Sequence, residues 1–143
     1  MGLDVSLYRL DGDSSIYVRS NAYLLTKSVP LSLDGMRVIP NVEDDATEIF
    51  YRRKEHQFLE WLQVEFGKIE DVDLSFIGLA KHLKQVVNKG IKKVRRNRYT
   101  GYLGDSWLSN PKWKRELLNT LSSLRGVLNQ LEASTPVAVL WIT

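Results

Sequence analysis

The run Asp73-Leu74-Ser75-Phe76-Ile77-Gly78-Leu79-Ala80-Lys81-His82-Leu83-Lys84-Gln85-Val86-Val87-Asn88-Lys89-Gly90-Ile91-Lys92-Lys93-Val94-Arg95-Arg96-Asn97-Arg98 holds both the scaffold logic and the charge of this chain. Phe76, Leu79, Ala80, Leu83, Val86 and Val87 recur at helical spacing, which marks one apolar stripe. Asp73 stands where an N-cap belongs, so the pattern predicts a helix opening near it. The opposite face carries Lys81, His82, Lys84, Gln85, Asn88 and Lys89. Gly90 either caps this helix, or Ile91 and Val94 carry the stripe onward toward Arg98.

Two further helices flank that run. Phe58, Leu59, Leu62 and Phe66 predict one over roughly Arg53 to Phe66, with Gly67 placed to end it. Asn110-Pro111 pairs a capping residue with proline at the first helical position. Leu117, Leu121, Leu124, Leu128 and Leu131 then repeat until Ser134-Thr135-Pro136 breaks the pattern. Strands read at both ends. Leu3, Val5 and Leu7 alternate with Asp4, Ser6 and Tyr8, the period of a strand with one buried face, and Val137 to Ile142 is a continuous apolar run. Ile16 to Leu25 is rich in β-formers, and Met36 to Ile39 is a shorter candidate. The expected fold is α+β: one globular domain over residues 1–143, a mostly antiparallel sheet with about three helices packed on one face.

The charge is segregated. Lys81, Lys84, Lys89, Lys92, Lys93, Arg95, Arg96 and Arg98 lie in a stretch with no acid, although the whole chain has a net charge of only +3. Residues 1–80 carry 14 Asp and Glu against 8 Lys and Arg. Such a dipole concentrates positive potential where a polyanion or an acidic protein face docks. Composition limits the alternatives. With 43% hydrophobic and 26% charged residues the chain is globular rather than disordered. The absence of cysteine excludes disulfides, thiolate zinc sites and a cysteine nucleophile. No apolar run reaches the length of a membrane span, and Asp4 and Arg9 interrupt any signal peptide, so a cytoplasmic location is expected.

Few residues suggest chemistry. His56 and Glu60 lie one helical turn apart and His82 stands alone, too few ligands for a metal. Asp11-Gly12-Asp13-Ser14-Ser15 begins like a calcium loop, but Ile16 replaces its glycine and Ala22 its glutamate, leaving a turn. Gly101-Tyr102-Leu103-Gly104 echoes a GxxG clamp but is followed by Asp105, and reads as a tight connection. No phosphate loop, dinucleotide fingerprint or nucleophile elbow occurs. No cofactor, metal or catalytic residue is therefore expected. Trp61, Trp107 and Trp113 sit at the margins of their helical stripes, whereas Trp141 is expected in the core.

Several elements together resemble an uncharacterised family of small bacteriophage and prophage proteins. They are the opening Met1-Gly2-Leu3-Asp4, the junction Glu48-Ile49-Phe50-Tyr51-Arg52-Arg53-Lys54 leading to His56 and Trp61, the Gly101–Gly104 step and the apolar final strand. Val5-Ser6-Leu7 departs from that family's Met-Tyr-Leu, the final strand lacks its tyrosines, and the basic run is not part of its pattern. The resemblance implies a phage or mobile-element setting and no activity. The resulting expectation is a non-enzymatic accessory protein acting in the host cell. Its residues 81–99, Tyr99 included, would bind a host protein with an acidic or nucleic-acid-binding surface, such as a defence nuclease or the transcription machinery. Direct nucleic-acid binding is the first alternative, with Tyr99 and Tyr102 stacking on bases. An enzyme or a binder of a signalling nucleotide is the second, and would need a pocket around Tyr51, Arg52 and His56.

Overall fold

The structure, a computed structural model, describes residues 4–12, 15, 46–66, 74–101 and 103–142. Strand β1 (Asp4–Leu10) is followed by β2 (Ala46–Arg53), helix α1 (His56–Phe66), β3 (Leu74–Leu79), α2 (Ala80–Arg95), one π-helical turn (Leu103–Trp107), α3 (Pro111–Asn129) and β4 (Pro136–Ile142). The strands form one sheet in the order β2-β1-β4-β3. Every neighbouring pair is antiparallel, so the architecture is the expected α+β class. The expected strands at Ile16–Leu25 and Met36–Ile39, the Gly67 cap, the Asp73 cap and the side chain of Trp141 lie outside what is described.

Alternation in β1 sets the two faces. Val5 and Leu7 are buried, and Leu7 stands opposite Phe50 on one side and Val139 on the other. Val139 in turn faces Phe76. One sheet face thus presents Val5, Leu7, Phe50, Phe76, Val137 and Val139 to the helices, all within a single hydrophobic core. Ile49 is the extra residue of a bulge opposite Leu7 and Tyr8, which lets β2 place Phe50 inward and Tyr51 outward.

The helix does not open near Asp73 as the apolar spacing predicts: residues 74–79 are a strand and the helix starts at Ala80. Phe76 fits helical spacing with Leu83 and Val87, yet it lies in a ladder with β4. Only the third-strand pairing distinguishes the two, and that pairing is non-local. Leu79 at the N-cap offers no side-chain acceptor. The first helical amides turn instead to the α3–β4 connection: Ala80 donates to the Thr135 carbonyl at 2.8 Å and Lys81 to that of Ala133 at 3.1 Å. Two donors that a helix end leaves unsatisfied are thereby matched by tertiary structure. The predicted first helix also starts later, because β2 runs through Arg53 and Lys54 turns in left-handed geometry (φ 59°).

The third helix begins where the sequence places it. The Asn110 side chain accepts from the Lys112 amide at 3.0 Å, with Pro111 at the first position. Its leucines at 117, 121, 124 and 128 are buried against the core, so the stripe is spent within the chain.

Trp61 is not marginal but wholly buried, at 0% exposure. It lies in an aromatic chain that crosses the layers: Phe50 edge-on to Phe58, Phe58 stacked with Trp61, Trp61 edge-on to Phe66, and Phe66 tilted on Phe76. Its indole rests directly on α2 at Gly90, where a Cβ would come within 2.7 Å of the ring. Gly90 is therefore a contact site inside the helix and not its cap, and α2 continues to Arg95. Alanine is the better helix former by about 1 kcal/mol. Overpacking against a ring that Phe58 and Phe66 prevent from moving costs about 1–3 kcal/mol. The clash should win: Gly90→Ala is expected to lower the denaturation midpoint in urea, and an unchanged or raised midpoint would show that the indole yields.

Candidate functional site

Helix α2 buries Ala80, Leu83, Val87, Gly90, Ile91 and Val94, and so turns its other side to solvent. On that side Lys81, Lys89, Lys92, Lys93, Arg95 and Arg96 are exposed and Lys84 is half-buried; Arg98, just beyond the helix, is exposed too. Among the described residues none of these eight cations forms an ion pair; the pairs present involve Arg9, Arg52 and Arg53. Lys92, Lys93 and Arg95 occupy the last turn of α2, where the helix dipole favours cations. That placement accounts for part of the run without any partner. It does not account for Lys81, Lys84 and Lys89, which sit earlier in the helix.

The structure extends the basic surface in a way the linear charge run does not announce. The Lys114 ammonium on α3 donates to the Asn97 side chain at 2.9 Å and to the Arg95 carbonyl at 3.5 Å. This ties the first turn of α3 to the end of α2 and places Lys112 and Arg115, both exposed, on the element beside it. The signal was legible in outline as the cluster Lys112-Trp113-Lys114-Arg115, but only the contact joins it to the ridge. Trp113 is half-buried and packs on Trp107 with ring centroids 4.1 Å apart.

Tyr99, unlike the cations of the candidate set, is not presented to solvent. It is buried, its hydroxyl accepts from the Trp61 indole at 2.8 Å and donates to the Glu65 carboxylate. Lys93 covers the ring, its ammonium 5.3 Å from the centroid. An engaged phenol and a covered ring leave no face for a base, and Tyr102 lies outside the described residues. Tyr99 is instead the fastener that returns the end of the basic segment to α1. The following turn depends on its glycines: Gly101 has φ +70°, and a Cβ on Gly104 would fall 2.1 Å from the Tyr99 carbonyl oxygen.

The other sequence candidates are structural. Tyr51 donates to Asp4 at 2.8 Å, Arg52 lies over the Phe50 ring at 4.6 Å, and His56 is exposed at the start of α1. They do not line the cavity of about 300 Å³ that opens beside the first half of α2, with Lys81 and Lys84 at its edge. Among the described residues no cluster of three metal-ligating side chains occurs, and no helix is long and apolar enough to cross a membrane. The chain matches no family model, no curated protein and no solved structure.

Two titrations report on this arrangement. Burial, then the hydrogen bond to the Glu65 carboxylate, raises the Tyr99 phenol well above its ordinary 10.0. The folded state holds that proton more tightly than the unfolded chain, so its contribution to stability is expected to fade as pH rises past about 10. Tyr99→Phe leaves the buried Trp61 N–H without its acceptor and should cost about 1–3 kcal/mol in denaturant unfolding. A variant as stable as the parent would show that the fastener is not needed. His82, whose Nδ1 is buried without a described partner, is lowered from 6.5 by burial and then by Lys81. Here the unfolded chain takes up the proton first, so stability should fall as pH drops below 6.5. A histidine chemical-shift titration should place His82 below 6.5 and move it upward in Lys81→Gln; a midpoint at or above that value contradicts the assignment.

Proposed function

We propose that the chain is a non-enzymatic binding protein of phage or mobile-element origin. Its α2 ridge occupies an acidic or nucleic-acid-binding surface of a host protein, of the kind carried by a defence nuclease or the transcription machinery, and inhibits or redirects it. The observation that carries this reading is the cluster of exposed cations without described acidic partners on a helix locked to the core. Lys89, Lys92, Lys93 and Arg96 crowd one another at helical spacings of three and four. Each such like-charge pair costs a helix about 0.2–0.5 kcal/mol. An arrangement that repels itself and meets no acid among the described residues is best explained by an external anion. The phage setting rests on the sequence resemblance alone.

The same ridge would also serve the phosphates of a nucleic-acid duplex, which is the second reading. It is less suited to a single strand, because Tyr99 is engaged and no other described aromatic belongs to the run. Changing Lys89, Lys92, Lys93 and Arg96 together to Gln separates function from folding. The variant should remain folded with only a small change in unfolding temperature, since relief of the repulsion is offset by loss of the dipole contacts of Lys92 and Lys93 and of the Lys93 contact with the Tyr99 ring, while losing the partner that co-purifies with the parent from its host. A variant that retains that partner at full strength would remove the ridge from the interface. A gel shift then divides the two readings: duplex binding through about six phosphates would fall with salt at a slope near −5 in log K against log concentration. The protein-partner reading expects no shift at moderate salt.

A further inference from the structure

The cavity beside the first half of α2 differs in character from the rest of the ridge. One wall is a single helical face, since Lys81, Lys84, Gln85 and Asn88 stand three, four and seven residues apart. Among the described residues no hydrogen bond or ion pair engages these four side chains, so that wall carries two ammonium groups and two amides free to bond to a ligand. The facing wall is aliphatic: Leu128 from the end of α3 and Leu131 just after it. Ala80 and Ala133 complete the lining. This end of the fold is held in place, because the Ala80 and Lys81 amides bond to Thr135 and Ala133 across the cavity's margin. A preformed site loses little freedom when a ligand enters.

We propose that this cavity is an anchor site for an acidic peptide segment of the protein partner. One apolar side chain enters against Leu128 and Leu131, the flanking carboxylates meet Lys81 and Lys84, and the amides of Gln85 and Asn88 bond to the peptide backbone. Charge complementarity and the mixed lining select this occupant. A phosphate backbone makes no use of an aliphatic wall, and no aromatic side chain lines the cavity on which a base would stack. Volume agrees, since about 300 Å³ lies at the lower end of the range for ligand pockets and suits one anchoring side chain. Interfaces take most of their affinity from a few such buried anchors. The inference rests on the ridge being a protein-docking surface, and adds to it a requirement for an apolar residue within the acidic sequence.

Fluorescence anisotropy with two labelled peptides tests this on the full chain: Asp-Glu-Asp-Leu-Asp-Glu-Asp, and its twin with serine in place of leucine. Equal charge isolates the anchor. The leucine peptide should bind about tenfold more tightly, less than complete burial of the side chain would give because binding also orders the peptide. Ala133→Trp, at an exposed lining position, should fill the cavity and abolish the preference while both peptides retain weak, salt-sensitive binding. Leu131→Gln provides a second route to the same loss if the larger side chain disturbs the turn. Equal affinity of the two peptides for the unaltered protein would overturn the anchor and leave the ridge reading standing. A preference that survives both variants would overturn the location. If neither peptide binds, or if only a short DNA duplex does, the anchor and the protein-docking reading fall together.

Discussion

The position of Trp61 against Gly90 is the constraint on which the rest of this molecule depends. An indole with no exposed surface can approach a helix this closely only where that helix has no side chain, and α2 supplies the gap. The contact fixes the distance and rotation of α2 relative to α1. From it follow the burial of Leu83, Val87, Ile91 and Val94 and, on the other side, the outward presentation of the cations. The polar edge of the same ring is satisfied by Tyr99, which in turn meets Glu65. One side chain thus sets both where the basic helix lies and where the basic segment ends.

Charge is displayed here at a cost that the scaffold absorbs. A helix crowded with lysine and arginine repels itself, and only its last turn recovers part of that loss through the dipole. Packing of the apolar stripe holds the helix regardless, since burying each large aliphatic side chain is worth about 1.5–3 kcal/mol. The exposed face of the helix can therefore be strongly cationic while its backbone stays held. Rigidity of this kind would reduce the ordering cost of any anion docking on the proposed ridge. Lys114 contributes to the same end by bonding to the closing residues of α2, which turns two separate basic stretches into one surface.

Residue type alone misplaced Tyr99, Trp61 and Phe76, while Trp107 and Trp113 are half-buried at the margin as their spacing predicts. Tyr99 follows Arg98 and looks available for stacking, but its hydroxyl is claimed by an indole from a helix far away in sequence. Trp61 falls near the edge of a helical stripe, yet the bundle closes over it because α2 approaches at a glycine. Phe76 fits a helical period and sits in a strand, since a ladder with β4 outweighs a spacing that only six residues support. In each case the deciding partner lies dozens of residues away, so no local pattern contains it.

Local rules sufficed for the α+β class, the alternation of β1, the Asn110-Pro111 start of α3 and its leucine stripe, and the gathering of eight cations in one run. These are read from neighbouring residues, because capping, periodicity and composition act over one or two turns. Tertiary structure alone decided that residues 74–79 are a strand, that backbone carbonyls of the α3–β4 connection cap α2, and that Tyr99 faces inward. It also set Lys114 beside the basic helix and opened a cavity between that helix and two leucines. Each of those outcomes requires two segments distant in sequence to meet, and the closure of that distance is what packing, not propensity, provides.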